Sequence, residues 1–305
     1  MPEISFVYPY RLPWPEVRPL LSTLDESGAH GLWVYENPRE RGAFAVAGAV
    51  LGATSRLTVG VGVVTTYVRH PEVLAMETLQ AGCIGPGRFV LGLGAGSATE
   101  AARLGVEQRS PLGTVRAQID AVRSFESAAP PAEPIPEPPI LIGATGPKMI
   151  ATAGAYADGL VLSLNAPPAF VRRAATVARE AARAAGRARP WVVVYVHAVV
   201  ADSHEAALEV ARAQLGTTLG RLAGNPVFDT FAGDLPSPLG DELREAARAG
   251  GVDPLSSGLV RELACVGTAE DLVARARQAY ADADEVVLLV PGADAGVLGG
   301  LAGSI

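Results

Sequence analysis

Two short stretches carry the residue types that could do chemistry. The first is FVLGLGAGSATE (89–100), an apolar run ending in Gly92, Gly94 and Gly96. A dinucleotide fingerprint needs a third glycine three positions after the second, and that place holds Ser97. It also expects a strand with a terminal acid about twenty residues on. The next strand-like run here begins only near Pro139. The glycines therefore predict a crowded strand end, where small residues let a broad, flat ligand approach the backbone. The second stretch is ATGPKM (144–149). Gly146 can turn the chain, and Pro147 suits a first helical position. The amides that follow would point back at the strand end. A helix start of this kind presents unpaired donors and partial positive charge to an anion such as phosphate. Thr145 adds a hydroxyl and Lys148 a full charge, although an ordinary helix start after a strand would read the same way.

Other constellations exclude more than they suggest. The four histidines, His30, His70, His197 and His204, have no metal-ligand spacing. His197 lies in an apolar run and reads as a packed core residue. Ser97 lacks the context of a nucleophile elbow. Glu36 could act in acid–base chemistry or simply pair with Arg39 or Arg41 at the surface.

These residues need elements to position them. The strand-like runs are 4–9, 31–36, 57–64, 88–94, 138–144, 159–164, 191–200 and 285–290, without clean polar alternation, as parallel strands covered on both faces would be. Helical segments fall between them near 15–28, 39–53, 71–82, 113–128, 147–156, 168–186, 203–220 and 268–281. Eight strands alternating with eight helices predict an α/β fold, a (β/α)8 TIM barrel in a single domain over 1–305. A doubly wound sheet with a second domain is the alternative. The excess over the usual length of about 250 residues falls at 221–262, an insertion between helix 7 and helix 8 rich in Gly, Pro and Asp, as a lid would be. A proline-rich connector occupies 127–139. The second helix, full of Ala and Gly, predicts burial under a neighbour or a dimer interface.

In such a barrel the active site gathers at the C-terminal strand ends. Those ends supply Tyr8 and Tyr10, Glu36 and Asn37, Thr65 to Tyr67, Ala95 to Ser97, Thr145 to Lys148, and Asn165. The chain has 305 residues, 49% of them hydrophobic, and a formal net charge of −7, which disfavours nucleic acid or an anionic membrane as partner. No apolar stretch is long enough to span a bilayer. Cys83 and Cys265 form no redox or metal motif, and no signal peptide is visible at the start, so a cytoplasmic protein with reduced thiols is expected.

The segment GVGVVTTYVRHPEVLAMETLQAGCIGPGRFVLGLGAGS (60–97) resembles the core signature of the bacterial luciferase-like flavin and deazaflavin enzymes. PPILIGATGPKMIATAGAYADGLVLSLNAPP (138–168) resembles the branch dependent on coenzyme F420, with the methylenetetrahydromethanopterin reductases nearest in pattern. CVGTAEDLVARARQAYADADEVVLLVP (265–291) is similar to the usual last helix and strand. The resemblance implies coenzyme F420 as cofactor, with FMN as the alternative, a small-molecule substrate and a homodimer. It implies a bulge around Gly62 to Thr65, often built on a non-proline cis peptide, with Val63, Val64, Thr65 and Thr66 against the ring and Asn37 beside it. Ala95, Gly96 and Ser97 would lie near the ribityl chain, and Gly143, Ala144, Thr145, Gly146, Pro147 and Lys148 would hold the phosphate.

Departures from the pattern narrow the chemistry. Alcohol-oxidising members carry Asp-His where this chain has Glu36-Asn37, and Asn37 cannot serve as a general base. The usual Asn-Pro-Tyr after strand three is Thr65-Thr66-Tyr67. The acid just after strand four is replaced by Ser97, with Glu100 three residues on. The expected activity is reduction of an electron-poor C=C or C=N bond, with Glu36 and Tyr8 as proton donors. The alternatives are an FMN-dependent monooxygenase and a cofactor-binding relative without catalysis.

Overall fold

The computed structural model describes residues 1–37, 42–108, 110–128, 132, 134–250 and 254–305. Among the described residues nine strands run in chain order: β1 (Glu3–Val7), β2 (Gly31–Val34), β3 (Thr58–Thr65), β4 (Phe89–Gly94), β5 (Ile140–Gly143), β6 (Gly159–Leu162), β7 (Trp191–Val200), β8 (Ala264–Gly267) and β9 (Glu285–Leu289). Among the described residues the helices are α1 (Trp14–Glu26), α2 (Ala43–Ala53), α3 (Pro71–Ile84), α4 (Ala98–Arg103), α5 (Pro111–Arg123), α6 (Pro147–Tyr156) and α7 (Pro168–Ala184). They continue with α8 (His204–Arg221), α9 (Val227–Ala232), α10 (Leu239–Ala249), α11 (Ser257–Leu263), α12 (Leu272–Ala279) and α13 (Ala295–Ala302).

All strand pairings are parallel. β1 to β7 follow one another round a ring, and β9 closes it between β7 and β1. This is the expected TIM barrel. β8 lies outside the ring and was not anticipated. It pairs with His197 to Val200, the part of β7 that runs on past most of its contact with β9. Among the described residues of 221–262, the segment expected to be an insertion, lie the helices α9 to α11. Phe231 of α9 packs edge-on against Phe170 of α7, and Arg173 forks onto Asp234 with two 2.6 Å bonds. The start of the second predicted helix and parts of the 127–139 connector lie outside the described residues.

Two apolar layers follow from strands covered on both faces. The outer layer packs the helices onto the ring. The inner layer fills the barrel with Val7, Trp33, Val90, Leu141, Val161, Val193, Tyr195 and Val287. Towards the N-terminal end of the barrel the fully buried Glu285 accepts from Trp33 Nε1 at 2.6 Å and from the Ser5 hydroxyl. Burial raises its pKa, while His30 and these two donors pull the other way. α2 is buried on one side only, through Ala43, Ala47, Val50 and Leu51. Its opposite stripe, Ala45, Ala49 and Gly52, is exposed in the single chain.

Candidate active site

A cavity with a volume near 750 Å³ opens at the C-terminal mouth of the barrel. Its position follows from the strand directions, which bring the ends of β1 to β7 and β9 together. Val63 dominates its floor. The β3–β4 register shifts between Val61 and Val64, and the Gly62–Val63 peptide is cis and not followed by proline, as the family resemblance implied. This bulge turns Val63 into the mouth. There it fills the space that side chains on β4 would need: a Cβ on Gly94 would stand 2.5 Å from Val63 Cγ2. The glycines of the β4 run thus make room first for the bulge. Gly94, Ala95 and Gly96 also line the cavity, so the expected small-residue wall exists as well.

Across from the bulge, β5 ends in Gly143, Ala144, Thr145 and Gly146, all lining residues. Gly146 is the N-cap of α6 and offers no side-chain cap. The Met149 and Ile150 amides bond the Gly146 carbonyl, and Pro147 has no N–H. The Gly146 and Lys148 amides therefore have no intrahelical acceptor. Pro147 and Lys148 are exposed and do not line the cavity itself. The helix-start geometry is as anticipated from sequence, with the Lys148 charge just outside.

The remaining expected residues divide. Asn37 lines the cavity together with Tyr35. Val64 is buried in the outer layer. Thr66 is buried, with its carbonyl accepting from Gln118 Nε2 at 2.8 Å. Thr65 Oγ1 is buried without a partner. Ser97 is the exposed N-cap of the short helix α4. Glu36 does not line the cavity. Its carboxylate lies 2.6 Å from Arg69 Nη1, while Arg69 Nε reaches Glu77 at 2.5 Å. Burial works against the Arg69 charge, and the two carboxylates hold it in place. The surface partners Arg39 and Arg41 considered from sequence lie outside the described residues. Tyr8 lines a neighbouring cavity of about 570 Å³ with Tyr10, Arg11 and Gln214, sharing Val7, Tyr35 and Leu289 with the first. Asn165 is drawn away: at φ 65° it donates to the Leu263 carbonyl at 2.9 Å, tying the β6–α7 loop to α11.

Sequence reasoning missed Tyr195 on β7, Met149, Ser163 beyond β6, and Arg221 at the end of α8, all of which line the cavity. It read His197 correctly as core. His197 is 3% exposed, its Nε2 is 2.6 Å from Gln214 Oε1, and burial lowers its pKa against that bond. Burial likewise pushes the Cys265 thiol up to about 12, which leaves it unreactive. Among the described residues no group of His, Cys, Asp or Glu could hold a metal ion, and no helix is long and apolar enough to cross a membrane.

The RHP segment after β3, Arg69 to Pro71, has a structural role on this geometry. Arg69 joins the end of β2 to α3, and its guanidinium lies 5.1 Å from the Phe44 ring of α2. His70 Nδ1 accepts from the Glu72 amide at 3.3 Å, and Pro71 opens α3. Together they fix the loop that follows the bulge.

Residues 5–284 match the luciferase-like monooxygenase family, which is most of the chain. The chain belongs to that family. It is an enzyme of the luciferase-like group, and its curated relatives are oxidoreductases. The 5,10-methylenetetrahydromethanopterin reductase of Methanolobus tindarius is 25% identical over 270 residues, 82% of each chain. An F420-dependent glucose-6-phosphate dehydrogenase of Nakamurella multipartita is 29% identical over 178 residues, 51% of this chain and 52% of the relative. Among solved structures, the coenzyme F420 dependent tetrahydromethanopterin reductase of Methanopyrus kandleri superposes with a TM-score of 0.76 at 16% identity, over 99% of this chain and 98% of that one. At that identity the likeness concerns the luciferase-like fold.

Proposed function

We propose that this protein is a coenzyme F420-dependent reductase that adds a hydride to an electron-poor C=C or C=N bond of a small organic molecule. The observation that carries the reading is the pairing, at one barrel mouth, of the Val63 bulge with an uncapped helix N-terminus. The first offers a shaped apolar support for a flat ring, and the second offers donors for an anionic tail. A volume near 750 Å³ suits a ligand of this size. The relatives' names supply the F420 assignment.

In this reading Val63, Gly94, Ala95 and Gly96 receive the ring, and Asn37 sits at its edge. The Gly146 and Lys148 amides and the Thr145 hydroxyl bind the phosphate, with the Lys148 charge screening it from outside. When bound, the reduced coenzyme supplies the hydride. The substrate lies at the join with the second cavity, against Tyr35 and Tyr10, whose hydroxyl donates to the Tyr35 carbonyl at 2.6 Å and so fixes that wall. In this reading Tyr8, on the second cavity, protonates the reduced substrate. Glu36, held by Arg69, positions the β2 end and does not deliver the proton. The α9–α11 segment acts as a partial lid, with Arg221 at the end of α8 lining the mouth beneath it. The exposed Ala45, Ala49 and Gly52 stripe, beside the exposed Val73 and Met76 of α3, forms a homodimer contact in the cytoplasm.

A second reading, an FMN-dependent monooxygenase using molecular oxygen, is favoured by the family's own description. Titration of the apoprotein with each coenzyme, followed by fluorescence, separates the two. The reductase reading expects micromolar or tighter binding of coenzyme F420 and at least tenfold weaker binding of FMN. The reverse order would replace it with the monooxygenase.

A further inference from the structure

Tyr195 is the one tyrosine of β7, and its side chain points into the barrel rather than towards the helices. It is 8% exposed and lines the mouth cavity, but its hydroxyl is fully covered and makes no hydrogen bond. A buried hydroxyl without a partner is rare in a folded chain and needs a reason. Its location supplies one. A Cβ built on Gly62 would stand 2.4 Å from Tyr195 Oη, so the hydroxyl lies directly beneath the first residue of the bulge. Trp33 fills the other side, 6.1 Å between ring centroids, and its Nε1 is already committed to Glu285. Apolar side chains also line this cavity, among them Val7, Val161, Leu162 and Leu289.

A flavin-type ring brings oxo oxygens and ring nitrogens that lose water when they enter such a site. An acceptor buried there without a donor would weaken binding. We propose that the Tyr195 hydroxyl is the donor for one of these acceptors, a polar anchor at the floor of the cofactor cavity. Burial, reinforced by Tyr10 and Glu285, keeps the phenol neutral far above physiological pH, so its proton stays available to the hydrogen bond. The same property suits it to binding and not to proton transfer, because the phenolate would be costly to form there. The inference rests on the cofactor reading above and adds a residue to it that the sequence motifs do not include.

The test is Tyr195→Phe against the wild type, each titrated as purified apoprotein with oxidised coenzyme F420 and separately with FMN, reading absorbance and fluorescence. In the free protein the substitution removes no hydrogen bond, so the melting temperature is expected to hold or rise. The dissociation constant for F420 is expected to rise five- to thirty-fold, and the absorption band of the bound coenzyme to move from its wild-type position. A purely structural tyrosine would leave that band where it was. Affinity within twofold of wild type with an unchanged spectrum would overturn the proposal, whatever happened to stability. If the wild type itself bound neither ring, the cofactor reading would fail first and take this inference with it.

Discussion

Val63 is the side chain around which the mouth is built, and its fit against Gly94 gives a test at single-residue scale. Gly94→Ala places a methyl where Val63 Cγ2 stands 2.5 Å away, and overpacking of this kind costs about 1–3 kcal/mol. Chemical denaturation should register that loss, and Val63→Ala in the same chain should recover much of it. Additive losses in the double variant would mean the two residues do not share the space. Glu285 gives a second test, through pH. Its folded-state pKa is raised by burial, so protonation is favoured in the native protein. Below the unfolded value of about 4.3 both states hold the proton and the group costs nothing. As pH climbs above that value the unfolded chain releases the proton first, and native stability falls until the folded pKa is reached. Glu285→Gln cannot titrate. Its stability advantage over wild type should widen with rising pH from about 4.3 upwards, measured by denaturation at a series of pH values. A gap that narrowed over that range would contradict the raised pKa. Among single residues, Thr145 and Gly146 were legible because a glycine and a first-turn proline signal a helix start whatever surrounds them. Tyr195 was not. It lies in WVVVYVHAVV, buried nearly end to end, where no alternation separates barrel interior from helix-facing side.

At the scale of elements, the barrel mouth is built from short pieces whose neighbours hold them still. α6 starts with proline and no side-chain cap, which leaves its first amides without an intrahelical acceptor. The RHP loop is braced by Arg69 between Glu36 and Glu77, so the Glu36 carboxylate is engaged in an ion pair. That partner was hidden because it lies 33 residues away in the chain. Local spacing pointed to Arg39 or Arg41 instead. β8 was missed for a different reason. Four residues, Ala264–Gly267, directly after a helix and paired only to the tail of β7, carry too little pattern to stand out. Composition marked 221–262 as unusual, but the helices α9 to α11 described there were not foreseen. Their buried Phe228, Phe231, Leu243 and Leu259 find partners on α7 and α8 and on one another, contacts that exist only once the barrel has formed.

For the whole molecule, the barrel was the most legible feature, since eight apolar runs alternating with helical segments admit few topologies. Closure through β9, with β8 left outside, places every strand end of the ring on one rim. The bulge and the α6 terminus can therefore act on one ligand, which neither could do alone. That shared ligand is the central claim. A crystal structure of the protein grown with coenzyme F420 measures it directly. The account predicts the ring against Val63, and the phosphate within hydrogen-bonding distance of the Gly146 and Lys148 amides. A phosphate bound elsewhere, or a ring lying away from the bulge with Val63 still closing the mouth, would contradict it.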